Sequence, residues 1–201
     1  MNGLINNIQL IISLIQIQFN IFMKSLTTYI NEKMVYNKST ANKIKYNYYP
    51  KTKRELEDLI RQLIQDRGND GDFNDIDTSK ITNMSDLFWN MMDFNGDISK
   101  WDVSNVTNMT CMFTACVSFN QPLNDWDVSN VTNMCSMFEK CKSFNQDISK
   151  WNVSKVKDME SMFYGCKSFN QDISNWDVTN VTDNNAMFYN CPIEKKYKPK
   201  F

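Results

Sequence analysis

Residues 126–150 read WDVSNVTNMCSMFEKCKSFNQDISK, and residues 151–175 read WNVSKVKDMESMFYGCKSFNQDISN. The step between them is 25 residues, and the same step recurs on both sides. Trp101, Trp126, Trp151 and Trp176 keep it, as do the pairs from Met112-Phe113 to Met187-Phe188. Cys116, Cys141, Cys166 and Cys191 form a third column, and Phe94, Phe119, Phe144 and Phe169 a fourth. A fixed period of this length marks a solenoid or array, in which each copy is too small to bury its apolar face alone and stacking builds the core.

The copies run Ile76–Lys100, Trp101–Asp125, Trp126–Lys150 and Trp151–Asn175, with a partial one from Trp176. The end copies deviate: Ile76 replaces Trp, Leu87-Phe88 replaces Met-Phe, and Asn184 stands where the others have Met. Within one copy Trp101 and Val103 alternate with polar neighbours, as on a short strand. From Val106 to Cys116 apolar residues recur every three or four positions, which predicts a short helix. The expected fold is therefore an α/β repeat solenoid, with a short strand and a short helix per 25-residue repeat.

Upstream, Pro50 to Gly68 predicts a helix. Thr52-Lys53-Arg54-Glu55 has capping-box form, Leu56, Leu59, Ile60, Leu63 and Ile64 make one apolar stripe, and Gly68 ends it. A solenoid's first copy leaves a bare apolar end, so this helix is expected to cap it. The predicted organisation is residues 1–49 as an apolar stretch and a Lys/Asn/Tyr-rich linker, 50–70 as capping helix, 71–193 as repeats, and 194–201 as a basic tail. Residues 4–23 are apolar but interrupted by Asn6, Asn7, Gln9, Gln16 and Gln18. They read as an amphipathic or poorly ordered extension, with membrane anchoring or export as the alternative.

Composition narrows the chemistry. The chain has 201 residues, 42% of them hydrophobic, and no histidine, which removes the commonest general base and metal ligand. The net charge of −1 hides an asymmetry: residues 71–193 carry 16 acidic and 8 basic side chains. An acidic repeat argues against a nucleic-acid ligand. The column cysteines read as buried thiols, not disulfides or zinc ligands, because zinc sites use closely spaced pairs. Cys111 and Cys135 lie off the column and are expected to be more exposed. Asn95, Asn120, Asn145 and Asn170 are expected to hydrogen-bond the turn backbone of neighbouring copies. The aspartates, from Asp97 and Asp102 to Asp172 and Asp177, read as solvated turn residues and not as a calcium array.

The strings Phe119-Asn120-Gln121, Trp126 to Met134 and Met137-Phe138-x-x-Cys141 resemble the 25-residue leucine-rich-repeat variants called DUF285, or BspA-like repeats, over about residues 50–201. The resemblance implies a leucine-rich-repeat-like solenoid and an adhesion or interaction role, with no catalytic residue and no cofactor. Members occur in bacterial surface proteins and in some large DNA viruses. The function expected is a non-enzymatic scaffold for protein–protein interaction, with a surface or adhesion role as one form of it. The alternative is a coat protein held by its N-terminal apolar segment.

The column Trp89, Thr114, Glu139, Tyr164 and Tyr189 varies from copy to copy, and its neighbour holds Asn90, Ala115, Lys140, Gly165 and Asn190. Variation suggests exposure on the helical side, and aromatic residues there favour binding. Trp89, Glu139, Tyr164 and Tyr189 are the candidate binding stripe; a protein partner is expected, and no metal site. Cell or particle surface and cell interior are both compatible locations.

Overall fold

The structure, a computed structural model, describes residues 46–201. The 4–23 stretch and the first part of the linker lie outside them. Helix α1 spans Lys53–Arg67 and is the one α-helix among the described residues. Thr52 caps its start, accepting from the Glu55 N–H at 3.2 Å. The box differs from the expected form, since the Glu55 carboxylate reaches past Thr52 to the Lys51 N–H at 2.7 Å. Gly68, at φ 77°, ends the helix and donates to the Ile64 carbonyl. Leu56, Ile60 and Leu63 are buried, so the stripe faces the core and α1 covers the first copy.

The repeats contain neither of the two expected elements. No named strand forms among the described residues, and Val106 to Cys116 is not helical. Met112 donates to the Met109 carbonyl, Thr114 to Cys111 and Cys116 to Phe113, each bond spanning three residues. Between these amides, Met109, Cys111, Phe113 and Ala115 donate to the carbonyls of Asn133, Cys135, Met137 and Glu139 in the next copy, at 2.7–2.9 Å. A run of β-turns thus replaces the helix, and every second N–H bonds sideways. Positive φ makes this possible. Cys111 (54°), Ala115 (61°), Ser136 (53°) and Lys140 (59°) all lie in the left-handed region, which breaks any helical ladder. The second variable column, Asn90 to Asn190, is therefore not free: all five of its residues have φ between 59° and 70°.

Strand pairing is reduced to single parallel bridges: Tyr48 to Ile76 and Asp72 to Asp97 at the start, then Asn83 to Asn108, Asn108 to Asn133, Asn133 to Asp158 and Asp158 to Asp183. Among the described residues none of them falls at Trp101 or Val103, where the alternation had pointed. A bond from Val106 back to Val103 closes another turn there. Side chains take over much of the ladder's work. Each Trp of the 25-residue column donates its indole N–H to a carbonyl 28 residues earlier: Trp101 to Phe73, Trp126 to Ile98, Trp151 to Leu123 and Trp176 to Ile148. The column thiols do the same, Cys116 to Phe88, Cys141 to Phe113 and Cys166 to Phe138, at 2.8–2.9 Å.

The core is a pair of aromatic stacks. Phe88, Phe113, Phe138, Phe163 and Phe188 follow one another at 5.3–5.8 Å with nearly parallel rings. Phe94, Phe119, Phe144 and Phe169 run beside them at 5.9–6.1 Å. Rungs between the two stacks are shorter, 4.1–4.2 Å. Parallel rings, fully buried except for the half-buried Phe188, make these a large apolar contribution to each copy.

The asparagine column behaves as expected. Asn95 Oδ1 accepts from the Asn120 N–H, Asn120 from Asn145, Asn145 from Asn170 and Asn170 from Glu194, all at 2.9–3.0 Å. Gln121, Gln146 and Gln171 reinforce it by donating to the same asparagines' carbonyls. Asn120→Ala removes the acceptor used by Asn145 N–H and Gln146 Nε2, at a site open to water. The expected loss is about 1 kcal/mol, read as a lower urea midpoint at unchanged slope.

Both ends extend beyond the expected boundaries. Tyr46 to Tyr49, placed in the linker by sequence, belong to the same compact unit as the repeats. Asn47 and Tyr48 donate to the Asp75 carbonyl, and Asp77 donates to Tyr48. Arg67 clamps this corner, binding the Asp75 carboxylate at 2.7 and 3.0 Å and the Asp72 carbonyl at 2.6 Å. The guanidinium holds the Asp75 carboxyl below its ordinary range. Asn69 to Asp75 form part of a copy preceding Ile76, since Asn95 and Asp97 donate to the Asn69 and Gly71 carbonyls and Phe73 receives the Trp101 indole. The basic tail is docked through Lys195–Tyr197, a short 3-10 turn, and Ile173 donates to the Tyr197 carbonyl.

Candidate interaction surface

The turn that carries Met-Phe in each copy places the next residue at its tip. There the backbone returns toward the Cys column, and the five tip residues form a row across the copies. The row is not the uniform exposed stripe that sequence variation suggested. Trp89 and Tyr189 are open to solvent, at 59% and 63% exposure. Thr114 is buried, its hydroxyl donating to the Ser136 carbonyl at 2.6 Å. Glu139 is half-buried and pairs with Lys140 at 2.9 Å. Tyr164 is half-buried because Tyr189 stacks on it, with ring centroids 5.1 Å apart and planes 17° from parallel. The stripe is thus two aromatic points, Trp89 at one end and the Tyr164–Tyr189 pair at the other. Threonine and a paired glutamate lie between them.

Sequence reasoning missed the two methionines that follow Trp89 and Asn90 in the chain. Met91 and Met92 occupy the first copy's equivalents of the Cys116 and Val117 positions. Met92 is 53% exposed, and both methionines line a surface hollow of about 390 Å3 with Arg61, Ile64, Gln65, Asn69 and Asp93. The signal was there in the break of the Cys column at Met91. Methionine at an exposed edge gives an adaptable apolar contact.

The remaining candidates are turn chemistry. Ser104, Ser129, Ser149, Ser174 and Thr179 each donate a backbone N–H to the Asp two residues before, at 2.9–3.1 Å. These are Asx turns. Hydrogen bonds from Ser129 and Ser174, hydroxyl first, hold the Asp127 and Asp172 carboxyls below their usual range; for Asp147 the Ser149 N–H is the main cause. The carboxylates are oriented along the chain and do not converge. Among the described residues no group of three or more Cys, Asp or Glu is close enough to hold a metal ion.

All six cysteines are free thiols. Burial pushes Cys116 up to about 12, and raises Cys141 and Cys166 as well. Cys111 and Cys135 are half-buried and off the column, as expected. Among the described residues no helix is long and apolar enough to cross a membrane.

The arrangement defines a repeat protein whose copies bond side by side through turns and present a row of polar and aromatic turn tips. The chain belongs to the DUF285 family: the family described as "Mycoplasma protein of unknown function, DUF285" matches residues 57–149 and 123–198. Comparison with curated proteins and with solved structures returned no match.

Proposed function

We propose that this chain is a non-enzymatic scaffold that binds a protein partner along the row of turn tips. Its fold is read as a variant of the leucine-rich-repeat solenoid in which turns replace the strand and the helix. The observation that carries the functional reading is the pair of solvent-exposed aromatic points on an otherwise polar row. Trp89 with Met92 stands at one end, and Tyr189 stacked on Tyr164 at the other. Packing does not require Trp89 or Tyr189 to be aromatic, and exposed Trp and Tyr carry much of the energy at protein interfaces. Glu139 lies between them and supplies a charged rim with Lys140. A surface or adhesion role is one form of this reading.

The test is a triple variant, Trp89→Ala with Tyr164→Ala and Tyr189→Ala. Its circular dichroism and urea midpoint should stay close to those of the parent, because two of the three side chains are largely outside the core. Capture of whatever protein the parent retains should fall at least tenfold. Equal capture by parent and variant would remove this row as the interface.

A further inference from the structure

Two of the six cysteines stand outside the column, and they meet at one junction. Cys111 takes the place that Asp86, Ser136, Ser161 and Ala186 hold in the other copies. Cys135 takes the place of Ser85, Thr110, Glu160 and Asn185. The other copies build the same turn without sulfur at either position. The two cysteines lie 24 residues apart, one short of the period, so they are diagonal neighbours in consecutive copies. The backbone joins them directly: the Cys111 N–H donates to the Cys135 carbonyl at 2.9 Å.

The two segments run parallel and in register from the Asn108–Asn133 bridge onward. A backbone hydrogen bond across such a pair brings the bonded residues' α-carbons to roughly 5–6 Å. Disulfides span about 4.4–6.8 Å between α-carbons. The thiols share a neighbour. Cys135 Sγ lies 3.9 Å from Ser136 Oγ, and Ser136 is the residue in register with Cys111. Thr114, whose hydroxyl donates to the Ser136 carbonyl at 2.6 Å, also stands beside the Cys111 thiol. Burial pushes Cys135 up, and after the Asp158 and Glu160 carboxylates Cys111 itself is near enough to add to the push.

Reach separates this pair from the column. Cys116, Cys141 and Cys166 are fully buried, and each donates to a backbone carbonyl at 2.8–2.9 Å. Cys111 and Cys135 are half-buried and within reach of a small reagent. Burial raises both thiols, so little thiolate is present at neutral pH and exchange there is slow.

We propose that Cys111 and Cys135 form an oxidation site, at which a low-molecular-weight disulfide closes a covalent staple between the second and third copies. One cysteine loses its proton to solvent and attacks a sulfur of the reagent, whose other half leaves as a thiolate. The second cysteine, deprotonated in turn, attacks the protein sulfur of the mixed disulfide. The Cys111–Cys135 S–S bond forms and the second half of the reagent leaves. Two protein thiols are oxidised, and the reagent disulfide is reduced to two thiols. The staple closes a loop of 25 residues and so removes conformations from the unfolded chain. It fixes the junction at which Thr114 bonds Ser136. The proposal stands apart from binding at the row of aromatic tips and does not rest on it.

The test incubates the reduced full chain with oxidised glutathione at pH 8. Remaining thiols are then blocked with N-ethylmaleimide in urea, and the product is read by intact mass and peptide mapping. Two of the six thiols should be lost to alkylation, and one cross-linked peptide should hold Cys111 and Cys135. The urea midpoint should rise above that of the reduced chain and fall back with dithiothreitol. Cys111→Ser and Cys135→Thr install residues that other copies carry at those positions, Ser136 and Thr110, so each variant keeps its turn. Neither should form the cross-link or show the rise. Six alkylated thiols after incubation would overturn the proposal. So would glutathione adducts on Cys111 and Cys135 together, or a cross-link from either to a column cysteine.

Discussion

Phe138→Ala is expected to lower the unfolding free energy by about 3–5 kcal/mol, the range for removing a fully buried ring. Phe138 is completely buried and sits at the crossing of both stacks. It lies 5.5 Å from Phe113, 5.7 Å from Phe163, 4.1 Å from Phe144 and 6.3 Å from Trp151. Neighbouring copies touch only through such contacts and their sideways bonds, so a cavity here weakens the junction on both sides. Urea unfolding should show the loss in the midpoint. It should also show a broader transition, as the copies before and after the gap begin to unfold separately. Phe138→Leu keeps most of the volume and should cost less than half as much. Equal, small losses for both variants would mean that the stack is not the main source of cohesion.

The second large effect is alkaline unfolding. Cys116, Cys141 and Cys166 are neutral thiols inside the core, each donating to a carbonyl of the preceding copy. Burial raises all three, Cys116 to about 12. In the unfolded chain a thiol ionises near its ordinary value, roughly 8.5. Above that pH the unfolded state binds three fewer protons than the native one, so stability falls as pH rises. The contribution is complete below about pH 8.5 and is lost progressively as pH climbs toward the raised native values. Within that window three thiols give a slope of about 4 kcal/mol per pH unit. Guanidinium unfolding at pH 8, 9.5 and 10.5 measures it. The triple variant Cys116→Ala, Cys141→Ala and Cys166→Ala is expected to be less stable than the parent at pH 8 but to lose far less on going to pH 10.5. Parallel losses in the two proteins would show that the column thiols are not what titrates.

The period, the buried columns and the asparagine ladder were legible because each is enforced once per copy. A core ring, a capping amide or a buried thiol must recur every 25 residues for the copies to fit. The turn run was not legible as such. Apolar spacings of three and four put residues on one side of a helix and on one side of consecutive β-turns alike, so Val106 to Cys116 satisfied both patterns. The distinguishing requirement is left-handed backbone at Cys111 and Ala115. It shows in the sequence only where Asn90, Gly165 and Asn190 occupy the equivalent column, and Ala115 and Lys140 mask it. Variation was likewise a poor guide to exposure. Thr114 shares a column with Trp89 yet is buried, because a small hydroxyl there can turn inward to the Ser136 carbonyl. Tyr46 to Tyr49 carry no trace of the repeat, so nothing local announced their pairing with the first copy.

The central structural claim is that the amides of each Met-Phe turn before the last bond across to the next copy and not along a helix. Scalar couplings through hydrogen bonds, recorded on the deuterated 15N,13C-labelled chain, report donor and acceptor directly. The account predicts couplings from Ser136 to Glu160, from Phe138 to Met162 and from Lys140 to Tyr164, the pairs at 2.7–2.9 Å. Couplings from Phe138 to Met134 and from Lys140 to Ser136 would be those of a helix, and would contradict it.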